Sequence, residues 1–206
     1  MNTRQIRPYH RTTLSRFLVV ALGFLLALPV GAYDFPLSSS AIRDAYFLGK
    51  QQTGLGTDFL AKYSRSIPEL KVDPYISRVR VETPFFQVAE QASQTLNYSA
   101  QDAVEDFYGR PAVLRMHLEI CYEADAPLPN SVKISVIQKN KPIAPLSEKR
   151  SAFFPPSDVY TRVPNLGEKV TLEFDPGKFD SSALTILIDT PDGQHAECVF
   201  DMQAIR

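Results

Sequence analysis

Tryptophan is missing from this chain of 206 residues, and only two cysteines and three histidines occur. Each shortage excludes something. An immunoglobulin domain packs a buried Trp against its inter-sheet disulfide, so that hallmark is ruled out. Glycan-binding surfaces commonly hold sugars on aromatic faces, a task left here to tyrosine. His10 belongs to an N-terminal leader, which leaves His117 and His195 for chemistry. No Gly-x-Ser-x-Gly elbow is present. Gly54-Leu55-Gly56-Thr57 lacks the preceding strand and the Lys-Ser/Thr ending of a phosphate loop, and reads as a helix break. Positive charge is not in surplus: 22 Lys+Arg stand against 23 Asp+Glu, a net of −1. Counterion-release binding needs a basic face, so nucleic acid is not an expected partner.

Long hydrophobic runs are absent, with one short exception. Arg4, Arg7, Arg11 and Arg16 precede an apolar stretch from Phe17 to Val30, closed by Gly31 and Ala32. This is the three-part layout of a secretory signal peptide. The stretch is about fourteen residues, against the roughly twenty that a spanning helix needs. Residues 1–32 are therefore expected to be a cleaved signal. An uncleaved signal anchor is the alternative, and membrane contact belongs only to it. The mature chain then carries 18 Lys+Arg against 23 Asp+Glu, a net of −5. The expected location is periplasmic or extracellular.

Cys121 and Cys198 are the only cysteines. In an oxidising compartment an even pair reads as one disulfide, closing a loop of about 76 residues. Two buried thiols are the other reading.

The pattern divides the mature chain in two. Residues 33–74 read as a helical N-terminal segment: Ser38, Ser39 and Ser40 offer caps, and Ile42, Ala45, Tyr46 and Gly49 share a helical face. Residues 75–206 alternate with period two. Leu114, Met116, Leu118, Ile120 and Tyr122 alternate with Arg115, His117, Glu119 and Cys121, the clearest strand in the chain. Similar runs surround Val79, Ile134, Leu172 and Cys198, and Leu184 to Ile188 is nearly all apolar, like a central strand. A helix interrupts them over 99–109, with a Ser99–Asp102 capping box and Gly109 at its end. The expected fold class is α+β, mainly β: an antiparallel β-sandwich, immunoglobulin-like in architecture at most, with a small helical segment and one interstrand helix.

Metal and catalytic patterns are thin. His117-x-x-x-Cys121 and His195-x-x-Cys198 supply zinc-type ligands. Strand positions four apart, however, lie about 13 Å from each other. No metal or cofactor is expected, and no catalytic residue is assigned. Carboxylates are scattered over Asp34, Asp44, Asp58, Glu105, Asp106, Asp158, Asp175, Asp180, Asp189 and Asp192. A glycosidase needs only two of them to converge. Asn97-Tyr98-Ser99 is a glycosylation sequon, and Ser99 serves equally as a helix cap.

The most suggestive stretch is 139–169, read as a long Pro-rich connection. Lys149 and Arg150 make it locally basic, followed by Phe153, Phe154 and Tyr160. Long ordered loops are often functional, so these residues are a candidate partner-binding loop. The bland reading is that both Phe cap the sandwich core. The expectation for the whole is an exported, non-enzymatic binding module, its partner an unidentified protein or envelope component. A carboxylate-dependent enzyme acting on glycans and a structural assembly subunit are the alternatives.

Overall fold

Strands form where one side of the chain is apolar and the other polar, and this chain alternates that way repeatedly. The computed structural model describes residues 33–51, 54–67, 77–123, 132–153, 165–191 and 193–206. These lie in the unit Gly31–Arg206. The expected signal segment, Phe154, Asp158, Tyr160 and Asp192 fall outside the described residues.

Among the described residues nine strands run in chain order: β1 (Ser64–Ile67), β2 (Ser77–Glu82), β3 (Leu114–Glu123), β4 (Lys133–Gln138), β5 (Lys141–Pro142), β6 (Ser147–Phe153), β7 (Asn165–Phe174), β8 (Leu184–Asp189) and β9 (His195–Phe200). They form two antiparallel sheets, β1-β2-β3-β7-β6 (sheet A) and β5-β4-β8-β9 (sheet B). The inward sets of both sheets meet in one core. It contains Val79, Val81, Leu114, Met116, Leu118 and Ile120 from sheet A, and Val136, Ile186, Ile188, Cys198 and Phe200 from sheet B. The fold is thus a mainly-β α+β sandwich, as the alternation predicts.

Among the described residues four helices accompany the sheets: α1 (Ser39–Gly49), α2 (Thr57–Tyr63), α3 (Pro84–Gln94) and α4 (Ala100–Tyr108). The helix expected over 99–109 is α4, and its capping box forms as read: Asp102 N–H donates to Ser99 Oγ, and Ser99 N–H donates to the Asp102 carboxylate. A second core binds α1, α3 and α4 through Leu37, Ile42, Ala45, Phe85, Val88, Ala89 and Ala103. α3 serves both cores, because Phe86 turns the other way, into the sandwich core with Tyr63.

Three expectations need correcting. The helical segment does not end as a unit at residue 74, because β1 lies within it and pairs with β2. Among the described residues two interstrand helices, α3 and α4, lie between β2 and β3 rather than one. α3 starts where the Thr83 hydroxyl accepts the Phe86 N–H (3.1 Å), with Pro84 in the first turn, where its missing N–H costs nothing. Nor is 139–169 one irregular connection. Lys139 and Asn140 both take left-handed φ, 50° and 60°, and close a two-residue β4–β5 hairpin. β6 then adds an edge strand to sheet A. Its alternation is hidden because it has no continuous apolar face. Register against Leu172 and Val170 puts Glu148 and Arg150 on the inner side, where Arg150 pairs with Glu148 and with Glu168 (2.7 Å).

Candidate functional site

The outward positions of sheet A are set by the same alternation. β2 presents Arg78, Arg80 and Glu82; β3 presents Glu119, His117 and Arg115; β7 presents Lys169, Thr171 and Glu173. Strand register lines them up in three rows: Arg78–Glu119–Lys169, Arg80–His117–Thr171 and Glu82–Arg115–Glu173. Directly opposed side chains in a sheet lie within contact distance. Nine neighbouring positions therefore carry charged or hydroxyl groups with no apolar side chain among them. α2 and α3 wall the face, contributing Leu60, Phe86, Glu90 and Gln94. Between walls and sheet lies a groove of about 630 Å³.

Glu82 is the pivot. Its residue is 4% exposed, because it ends β2 just before α3 begins over it. Its carboxylate lies 3.0 Å from Arg80, 3.3 Å from His117 and 3.7 Å from Arg115. Burial pushes its pKa up, but the His117 hydrogen bond and the charges of His117, Arg80 and Arg115 outweigh burial and hold it below the usual glutamate range. Arg80 is shared with Glu90 of α3. Arg115 is shared with Glu173 at 3.1 Å. The Ser147 hydroxyl, then Arg115, lowers the Glu173 pKa against its partial burial. Glu119 bridges Arg78 (3.5 Å) and Lys169 (3.0 Å).

His117 sits mid-face. Nε2 faces Glu82, and Nδ1 lies 3.1 Å from Thr171 Oγ1. When Nε2–H donates to the carboxylate, Nδ1 accepts from the Thr171 hydroxyl. The order hydroxyl, imidazole, carboxylate is the one nucleophilic enzymes use.

Glu82→Gln should cost about 2 kcal/mol at neutral pH, since two arginines lose a buried counter-charge while keeping part of their solvation. The sign with pH follows from the depressed pKa. The carboxylate's contribution is complete above the ordinary value of about 4.3 and is lost as pH falls through the lower folded value. Urea titrations should therefore show wild type and variant converging on acidification. A gap that stays constant from pH 7 to pH 3 would contradict this assignment.

The residues singled out from the sequence are dispersed. Cys121 and Cys198 are not joined: both are buried thiols. Alternation explains it. Cys198 belongs to the inward set of sheet B and to the core, whereas Cys121 alternates with the inward Ile120 and so lies on the opposite side of sheet A. Burial pushes the Cys198 thiol up to about 11, with Arg65 pulling the other way. His195 pairs with Asp189 at 2.6 Å on the outer side of sheet B, across the sandwich from His117. No metal-binding group of three or more His, Cys, Asp or Glu occurs among the described residues. Lys149 and Arg150 lie on β6, a strand and not a loop, and point to opposite faces; only Lys149 shares the outer face, opposite Thr171. Phe153 ends β6, while Phe154 and Tyr160 lie outside the described residues. Asn97 occupies the exposed turn between α3 and α4, with φ 53°.

Sequence reasoning reaches His117 but not its neighbours. Arg80, Glu82, Arg115 and Thr171 each read as the polar half of an alternating strand, and only sheet order brings them together. No protein family, no curated protein and no solved structure matches the chain.

Proposed function

We propose that the protein is an exported, non-enzymatic binding module whose ligand site is the groove over the outer face of sheet A. One observation supports the reading: a groove of about 630 Å³ floored by three strands of ion-paired polar side chains, with a carboxylate buried at its inner end. Partly exposed ion pairs add little to stability, so a network of this extent suits recognition better than folding. Its volume lies within the range usual for ligand sites.

Thr171→Trp supplies the test. Thr171 points outward, so the indole fills the groove and leaves the core untouched. A panel of anionic, cationic, neutral sugar and peptide compounds is screened by melting temperature. At least one should raise the wild-type value and leave Thr171→Trp unmoved, since a ligand binding only the folded state stabilises it. A panel in which nothing discriminates the two proteins overturns the reading.

The Thr171–His117–Glu82 order supports a second reading, a hydrolase. The backbone N–H groups beside Thr171 are engaged in the antiparallel ladder, so no backbone oxyanion site stands next to it. The depressed Glu82 pKa is also the reverse of what a carboxylic general acid on glycans requires. A fluorophosphonate label on Thr171, lost in Thr171→Ala, would favour this reading over the first.

A further inference from the structure

We infer that the groove takes an anionic ligand, a small soluble molecule with two or more carboxylate or phosphate groups. The inference rests on the binding reading above and names its ligand class. It is carried by how the ion pairs are layered. In all six arginine and lysine pairs described across this face the basic side chain is more exposed than its acid. Glu82 is 5% exposed beneath Arg80 at 37%, and Glu119 is 26% exposed beneath Lys169 at 52%. Long basic side chains tip outward on many surfaces, and Lys139–Asp180 and Arg150–Glu168 elsewhere in this molecule show the same order; what sets the groove apart is the nearly complete cover over Glu82. In Arg150–Glu148 and Arg206–Asp44 the acid is the more exposed partner.

The three acids on the sheet face are also engaged, and Glu90 on the α3 wall pairs with Arg80. Glu82 has three basic partners, Glu119 two, and Glu173 an arginine and a hydroxyl. An incoming molecule meets N–H donors: the guanidiniums of Arg78, Arg80 and Arg115 and the ammonium of Lys169. A donor-rich surface selects an acceptor, and a guanidinium binds carboxylate or phosphate in a fork. Outward positions two apart on one strand are about 7 Å apart, which sets the spacing between the ligand's anionic groups.

The test titrates the purified full chain with citrate and with inorganic pyrophosphate. Spermidine and a neutral oligosaccharide are the controls. Citrate or pyrophosphate should bind wild type and not Thr171→Trp, and the stronger of the two distinguishes a carboxylate from a phosphate source. Arg78→Gln and Lys169→Gln, both at exposed sites, should each weaken binding roughly tenfold, the worth of one charge-assisted contact. Lys133→Gln, on the outer side of sheet B, should change nothing. Affinity should fall as salt is added. If spermidine or the neutral sugar binds in the groove instead, the anionic assignment is wrong and the binding reading stands. Anion binding that survives both Arg78→Gln and Lys169→Gln places the site elsewhere and overturns the inference. If no compound separates wild type from Thr171→Trp, both fall.

Discussion

Phe86→Ala should remove about 3–5 kcal/mol, the cost of deleting a fully buried aromatic ring with its cavity left behind. The ring is 0% exposed. It lies 4.7 Å from Tyr63 and stacks at 5.7 Å on Phe59, centroid to centroid. The Arg80 guanidinium lies over it at 4.8 Å. Three dependencies meet there. α2 is anchored by its two aromatics, α3 is pinned to the sandwich, and an arginine of the groove rests on the ring. A domain of this size has about 5–15 kcal/mol of stability in total, so the variant should sit near its folding threshold. The chain has no tryptophan, so urea unfolding is best followed by far-ultraviolet circular dichroism. A loss under 1 kcal/mol would mean that α3 is not held to the sheets through Phe86.

Gly49→Ala should destabilise by about 3 kcal/mol, the upper part of the range for overpacking. Helix propensity alone predicts a gain of up to about 1 kcal/mol from the same change. Geometry decides between them. A Cβ at Gly49 would stand 2.0 Å from the Ala89 carbonyl oxygen and 3.0 Å from the Ala92 Cβ. The first obstacle is backbone and cannot rotate aside. Ala41, Ala45 and Gly49 repeat every four residues and make a seam of small side chains along α1, against Ala89 and Ala92 of α3. The seam allows the two helices to approach closely. Gly49→Ala forces them apart at one end, whereas Gly56→Ala, whose Cβ meets nothing within 4 Å, should be nearly neutral. Comparing the two melting temperatures isolates the steric effect from the loss of backbone freedom common to both. Equal temperatures would refute the close-approach account.

How much of this was legible depends on what each residue faces. β3 reads clearly because one side of it is core, so burial writes alternation into the residue types, whereas β8 reads from its nearly continuous apolar run. β6 does not, since its inner side carries Glu148 and Arg150 in place of apolar residues. α3 carried visible signals in Thr83, Pro84 and the spacing of Phe85, Val88, Ala89 and Ala92. Phe86, pointing to a different core, breaks the simple one-face pattern. The groove was the least legible part. His117 and Thr171 are 54 residues apart and become neighbours only because β7 returns beside β3. Period-two patterns reveal faces, and they are silent on which strand lies next to which. The cysteines show the same limit: their type and number suggest a bond, but the face each occupies keeps them apart.

The charges on β6 also bear on the growth of sheet A. A sheet edge offers unpaired backbone groups, and a second copy adding there would have to extend the hydrophobic layer as well as the ladder. Here that layer stops in Arg150 with its two glutamates. A newcomer would strip water from these ions and gain no apolar contact in return. The sheet is thus terminated by electrostatics, without closing into a barrel, and β6 is a poor template for strand-by-strand polymerisation.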